Sequence, residues 1–182
     1  MTDRKPVVVA EGRFIRFLVH EGWEYVERPN GIGAMMMVAV TDAGRLLLIE
    51  QHRIPFQRPV IELPAGLVGD PGSPKDEPAL DAARRELLEE TGYETRRIVE
   101  LAGGPVSAGL SNEQVTIVYA GGLRQRSAGG GTGSESIRVH EVPLADVNRW
   151  LADRAARGAL IDIKIYAGLY LLSRADKKES PP

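Results

Sequence analysis

The stretch Ala79-Leu80-Asp81-Ala82-Ala83-Arg84-Arg85-Glu86-Leu87-Leu88-Glu89-Glu90-Thr91-Gly92-Tyr93 decides how the chain is read. Leu80, Ala83, Leu87 and Leu88 recur at helical spacing, which predicts a helix over 79–91 with these residues as its apolar stripe. Gly92 stands where a left-handed glycine closes a helix, and Pro78 fits its first turn. The other face is crowded with carboxylates. Glu86 and Glu90, four residues apart, stack on one side, and Glu89 lies beside Glu86. Like charges at such spacings cost an isolated helix roughly 0.2–0.5 kcal/mol each. A divalent cation offsets that repulsion, and Mg²⁺ suits it: it takes oxygen ligands, keeps several waters and is commonly shared with substrate phosphates. Taken alone, the helix reads more readily as a solvated face on which Arg85 and Glu89 form an exposed ion pair, because charged helix faces are common.

Short strands dominate the flanking sequence. Segments 7–10, 13–20 and 23–28 read as strands, the last two joined at Glu21–Gly22 as a hairpin. Segments 34–40 and 45–51 flank Thr41-Asp42-Ala43-Gly44, a good hairpin turn. A strand over 60–63 ends at Pro64, and 66–78, rich in Gly and Pro, reads as loop. Strands follow over 98–101, 114–121 and 136–142, with a flexible Gly-rich loop over 127–136. Helices are predicted over 143–157 and 161–174. Strands first, with helices in the middle and at the end, imply an α/β or α+β sandwich with a mixed sheet rather than a parallel barrel.

The 182-residue length suits a single domain, and the net charge of −2 lacks the footprint of a duplex-binding protein. The absence of cysteine excludes disulfides, thiolate metal sites and a Cys nucleophile. Three histidines (His20, His52 and His140) argue against a multi-His zinc site. Apolar runs are far too short for a membrane span, and the first residues lack a signal-peptide core. The expectation is a cytoplasmic protein with no nucleic-acid partner and no membrane association.

The run Arg85-Glu86-Leu87-Leu88-Glu89-Glu90-Thr91-Gly92-Tyr93, with Glu77 eight residues before Arg85, resembles the second half of the signature of the Nudix hydrolases. That family cleaves nucleoside diphosphates linked to another moiety. Its opening glycine falls on Pro71 here. Placing that glycine at Gly66, within Pro64-Ala65-Gly66, implies five extra residues in the loop to Glu77, an insertion that costs little when its ends are anchored. The resemblance implies a Nudix-type α/β/α sandwich with a mixed sheet plus a small N-terminal antiparallel sheet. It implies Glu86 and Glu90 as main metal ligands, Glu89 assisting and the Ala65 carbonyl completing the site. Gly66, Glu77, Arg85 and Gly92 then belong to the structural motif.

Residues 23–28 and 50–55 look like segments of the ADP-ribose and nucleoside-diphosphate-sugar pyrophosphatase branch. In that branch N-terminal strands exchange across a homodimer. The organisation implied is 1–33 as exchange element, 34–174 as the Nudix domain and 175–182 as a flexible tail. Arg28 and Arg53 match arginines near nucleotide or phosphates, a task suited to the planar guanidinium fork. Glu62 and Glu113 join them as candidate substrate-binding residues. Ser107-Ala108-Gly109 stands where ADP-ribose pyrophosphatases often have Ser-Pro-Gly, which leaves room for sugar nucleotides such as GDP-mannose or ADP-glucose.

The reaction implied is Mg²⁺-dependent hydrolysis, with Mn²⁺ able to substitute, yielding a nucleoside monophosphate and a sugar phosphate. Glu135, after a Gly-rich run and just before a strand, is the candidate base for the attacking water, with Glu113 and Glu89 next in line. The competing reading is a non-catalytic Nudix-fold sensor or regulator of nucleotide sugars; the complete set Glu86, Glu89 and Glu90 counts against it. An isoprenoid diphosphate isomerase would need the cysteine this chain lacks, and the 23–28 segment fits a nucleoside-triphosphate hydrolase poorly.

Overall fold

The apolar run 35–40 sets the architecture, because consecutive large side chains on one strand require cover on both faces. In a computed structural model that describes residues 5–29, 33–69, 77–131 and 136–178, this run lies in β4 (Ala34–Ala39) and just beyond it. Met35, Met37 and Ala39 pack toward α1 (Ala79–Thr91) together with Ala83 and Leu87. Met36, Val38 and Val40 point the other way. There they meet α2 (Val147–Ala156) and α3 (Lys164–Lys178) through residues such as Leu151 and Ile165. The same alternation in β5 (Arg45–Arg53) sends Leu47 to the first core and Leu46 and Leu48 to the second. One helix on one face and two on the other make the expected α/β/α sandwich.

The remaining strands are β1 (Val7–Glu11), β2 (Arg16–His20), β3 (Trp23–Glu27), β6 (Arg58–Glu62), β7 (Ala65–Leu67), β8 (Tyr93–Pro105), β9 (Gln114–Gln125), β10 (Ile137–Pro143) and β11 (Leu160–Ile161). Together with β4 and β5, and among the described residues, they form two mixed four-stranded sheets rather than one. The orders are β10-β5-β6-β11, with β11 parallel to β6, and β7-β4-β9-β8, with β4 parallel to β9. β1-β2-β3 is the separate small antiparallel sheet. It joins the body through the Val26 N–H, which donates to the Leu110 carbonyl at 2.9 Å.

Several boundaries differ from expectation for identifiable reasons. The strand expected over 98–101 runs from Tyr93 to Pro105; it is an edge strand with a bulge between Glu100 and Ala102 and two glycines, so it lacks a clean alternation. Part of the loop expected over 66–78 is the short strand β7, whose backbone pairs with β4. The helix expected from 143 opens with a 3₁₀ turn at Leu144–Asp146. The one expected from 161 starts at Lys164, because Ile161 pairs with β6. On α1, Leu80 and Leu88 are exposed, and the buried face is Ala82, Ala83, Leu87, Glu90 and Thr91. Among the described residues no helix is long and apolar enough to cross a membrane.

Candidate active site

Helix α1 places Glu86 and Glu90 one turn apart, and β7 runs across their face. Gly66 is what lets the two elements meet. A Cβ at Gly66 would lie 1.9 Å from Glu86 Cγ and 2.7 Å from Glu86 Cβ, so only a hydrogen fits. This close approach requires glycine at position 66, where the motif's opening glycine is expected; Pro71 lies outside the described residues. Glu90 is buried, and its Oε2 accepts a hydrogen bond from the Ala65 N–H at 2.9 Å. Its carboxylate is therefore held against the strand.

These residues line a cleft of about 310 Å³ whose other walls come from distant parts of the chain. Arg53 and Gln51 arrive on one face of β5, and Glu62 follows at the end of β6. Arg53 Nε and Nη2 donate to the two Glu62 oxygens at 2.8 and 3.0 Å, a bidentate pair. Arg28, just after β3, donates from Nε to Glu113 Oε1 at 2.9 Å. Asp162 and Lys164 close the cleft at the start of α3, with Lys164 Nζ 2.7 Å from Asp162 Oδ2. Each cation lining the cleft thus already holds a carboxylate, which keeps its side chain oriented.

Beside the cleft, Arg85 gathers three carboxylates. Its Nη2 donates to Glu77 Oε2 at 3.2 Å, and its Nη1 to Glu86 Oε1 at 2.8 Å and Glu89 Oε2 at 3.2 Å. The Glu77 hydrogen bond is the largest influence that raises the Arg85 pKa above its usual value. Glu77 is itself nearly buried. Arg85 and Glu77 therefore anchor the start of the helix, and Arg85 offsets the repulsion between Glu86 and Glu89. Glu89 does not line the cleft. At the far end of α1, Gly92 has φ 78° and donates its N–H to the Leu88 carbonyl, as a left-handed C-terminal glycine should. Glu135 lies outside the described residues.

The sequence reading therefore gathered Arg28, Arg53, Glu62, Ala65, Gly66, Glu86, Glu90 and Glu113, which all line one cleft. It missed Gln51, Asp162 and Lys164. Gln51 was accessible, since it shares a strand face with Arg53. The Asp162 side chain accepts from the Lys164 N–H at 2.9 Å, a helix-start signal, but nothing in the sequence says which end of α3 meets the cleft.

The donor set suits a hard cation. Among the described residues no group of three or more His, Asp or Glu side chains forms a ready-made cage. Two carboxylates on one helix face, lying over a glycine and open to a cleft, match a hydrated ion that completes its shell with ligand oxygens. The guanidinium groups of Arg28 and Arg53 line the same cleft, a donor set whose planar forks suit phosphate oxygens.

Comparison with known proteins agrees. Residues 31–162 match the NUDIX domain, and the chain belongs to the Nudix family as a Nudix hydrolase. It is 32% identical over 145 residues to an ADP-ribose pyrophosphatase of Bacillus subtilis, covering 72% of this chain and 74% of that one. It is 33% identical over 138 residues to an ADP-ribose pyrophosphatase of Mycobacterium tuberculosis (75% and 63%), and 28% identical over 157 residues to a methanol dehydrogenase activator of Bacillus methanolicus (80% of each). A solved structure described as an ADP compounds hydrolase superposes with a TM-score of 0.72 at 22% identity, covering 99% of this chain and 98% of that one, and so shares the fold.

Proposed function

We propose that this protein hydrolyses the diphosphate bond of ADP-ribose or of a nucleoside diphosphate sugar, releasing a nucleoside monophosphate and a sugar phosphate. The observation that carries this reading is the pairing of Glu86 and Glu90 on one cleft wall with Arg28 and Arg53 on the others. Glu86 and Glu90 would hold Mg²⁺, or Mn²⁺ in its place, with Glu89 assisting and the Ala65 carbonyl a further ligand. The ion, when bound, supplies charge neutralisation for the diphosphate.

The chain's own residues supply orientation. Arg53, locked by Glu62, and Arg28, locked by Glu113, present guanidinium groups suited to phosphate oxygens. The Glu77–Arg85 pair keeps the start of α1 in place. Glu135 is the proposed carboxylate that takes the proton of the attacking water, since carboxylates committed to a cation make poor bases.

Residues 1–33 are proposed as the element that a second copy covers. Val7, Val9 and Trp23 are 64%, 55% and 67% exposed, a large apolar surface for a three-stranded sheet. A homodimer in which each copy buries the other's sheet accounts for it.

The relative named an activator of methanol dehydrogenase keeps a regulatory reading in view. One experiment separates the two: kcat/KM for ADP-ribose, ADP-glucose, GDP-mannose and nucleoside triphosphates with Mg²⁺ and with Mn²⁺. Hydrolysis of a diphosphate-linked sugar supports the enzyme. Binding without turnover of any of them supports the regulator. A preference of about a hundredfold or more for a triphosphate, about 2.7 kcal/mol in transition-state binding, overturns the proposed substrate class.

A further inference from the structure

The Gly-rich segment after β9 reads from sequence as flexible, yet residues 127–131 fold back onto the C-terminal end of α1. A helix leaves its last carbonyls without partners inside the helix. Here the Leu88 carbonyl is taken by the Gly92 N–H, and the next two are taken from outside the helix. The Gly130 N–H donates to the Glu90 carbonyl at 2.8 Å, and the Gly131 N–H to the Glu89 carbonyl at 3.1 Å. In return the Gly92 carbonyl accepts from the Arg126 N–H at 2.7 Å and the Ser127 N–H at 3.2 Å.

The contact is too tight for side chains on either partner. A Cβ at Gly129 would lie 2.4 Å from the Thr91 carbonyl carbon, and one at Gly92 would lie 2.2 Å from the Ser127 oxygen. Gly129, Gly130 and Gly131 have φ of 68°, 119° and 80°, a run that turns successive N–H groups toward the helix end. The last turn of α1 contains no basic side chain, so these amides supply positive partial charge at the helix C-terminus that the turn itself does not. On the other side, the Gly130 carbonyl accepts from the Ile137 N–H at 3.2 Å, which ties the end of α1 to β10.

We propose that Gly129, Gly130 and Gly131 are positioning residues for the α1 carboxylates: they clamp the backbone of Glu89 and Glu90, while the Ala65 N–H holds the Glu90 side chain from the opposite direction. The inference rests on the reading that Glu90 binds the cation. It makes this segment part of the site's rigid frame instead of a linker.

The test uses the full chain and Mn²⁺ binding by calorimetry without substrate, alongside kcat, in Gly129→Ala, Gly44→Ala and Glu90→Gln. Gly44 shares the φ of 68° but has nothing within 4 Å of a Cβ, so its variant carries the backbone strain without the clash. Glu90→Gln is expected to weaken Mn²⁺ binding. Gly129→Ala is expected to weaken it by about 10–100-fold and to lower kcat, while Gly44→Ala stays within about twofold of the parent.

A folded Gly129→Ala protein with parental Mn²⁺ affinity and kcat overturns the inference while leaving the cation reading intact. Parental affinity in Glu90→Gln overturns that reading, and the inference with it. Should Gly129→Ala fail to fold, Mg²⁺ titration of the unsubstituted protein decides by amide NMR. The Gly130 and Gly131 signals are expected to be protected from exchange and to shift with the same midpoint as α1. Unprotected or unshifted signals overturn the inference.

Discussion

Replacing Gly66 with alanine perturbs the site through one methyl group. The new Cβ would sit 1.9, 2.3 and 2.7 Å from Cγ, Cδ and Cβ of Glu86. Rotating the Glu86 side chain relieves the first two contacts but swings the carboxylate out of the cleft. It cannot relieve the third, because the Glu86 Cβ is fixed by the helix backbone. Strand β7 and helix α1 must therefore separate by several tenths of an ångström. Overpacking of this kind costs about 1–3 kcal/mol. For a chain of this size that is a fall of about 2–12 °C in Tm. A misplacement of about 1 Å within a site costs about 100-fold in rate, and a Glu86 carboxylate rotated out of the cleft moves by at least about that much. The backbone at Gly66 needs no left-handed conformation, so the whole effect comes from contact. The expected result is a folded protein by circular dichroism, a modest drop in Tm, and kcat lower by about 100-fold in a diphosphate-sugar hydrolysis assay. Parental kcat in Gly66→Ala would show that Glu86 does not need the close approach and would refute the reasoning.

Glu77→Gln keeps a hydrogen-bond acceptor for Arg85 but loses the charge, so urea unfolding is expected to show a loss of about 1–2 kcal/mol. Its kcat should fall by less than about tenfold; a larger fall would place Glu77 in the chemistry rather than behind it. Burial, reinforced by a hydrogen bond to Glu141, raises the Tyr93 pKa from 10.0 to about 12. The folded protein thus favours neutral Tyr93, so its contribution to stability is full below pH 10 and is lost as pH rises toward 12. Tyr93→Phe should remove that part of the alkaline loss, and an unchanged stability-against-pH profile between pH 10 and 12 would contradict it. Light scattering after size exclusion should give about twice the 19.8 kDa chain mass, and deleting residues 1–30 should give an aggregating or inactive protein. A soluble, fully active, monomeric truncation would argue against exchange of the N-terminal sheet.

The helix over 79–91 was legible to the residue because every local signal agreed: apolar period, Pro78 before it and Gly92 after it. Its facing was less legible. Leu80 and Leu88 looked like core, yet the interior of that turn is filled by Ala82, Ala83 and Thr91, and tertiary packing decided against the larger residues. The double-sided burial of 35–40 was not part of the expectation, which gave 34–40 only as a strand, although an unbroken apolar run calls for cover on both faces. β8 was not legible because an edge strand has a partner on one side only and tolerates glycine and a bulge. At the site, the motif glutamates and the two arginines could be gathered by spacing and resemblance. Their ion-pair partners could be named but not matched. The pairing of Arg53 with Glu62 depends on strand registry, and that of Arg28 with Glu113 on where the small sheet docks. The grip of Gly129–Gly131 on α1 left no trace in composition, since glycine runs also serve as linkers.

The central claim is that the carboxylates of Glu86 and Glu90 make this protein a diphosphate hydrolase. It is tested most directly by release of nucleoside monophosphate from ADP-ribose by the unsubstituted protein, Glu86→Gln and Glu90→Gln, at limiting and saturating Mg²⁺. Turnover is expected in the unsubstituted protein, with a loss of at least about 100-fold in each variant, larger at limiting Mg²⁺, because the amide keeps the shape of the side chain but not the charge that holds the cation. Parental turnover in both variants at limiting Mg²⁺ would contradict it.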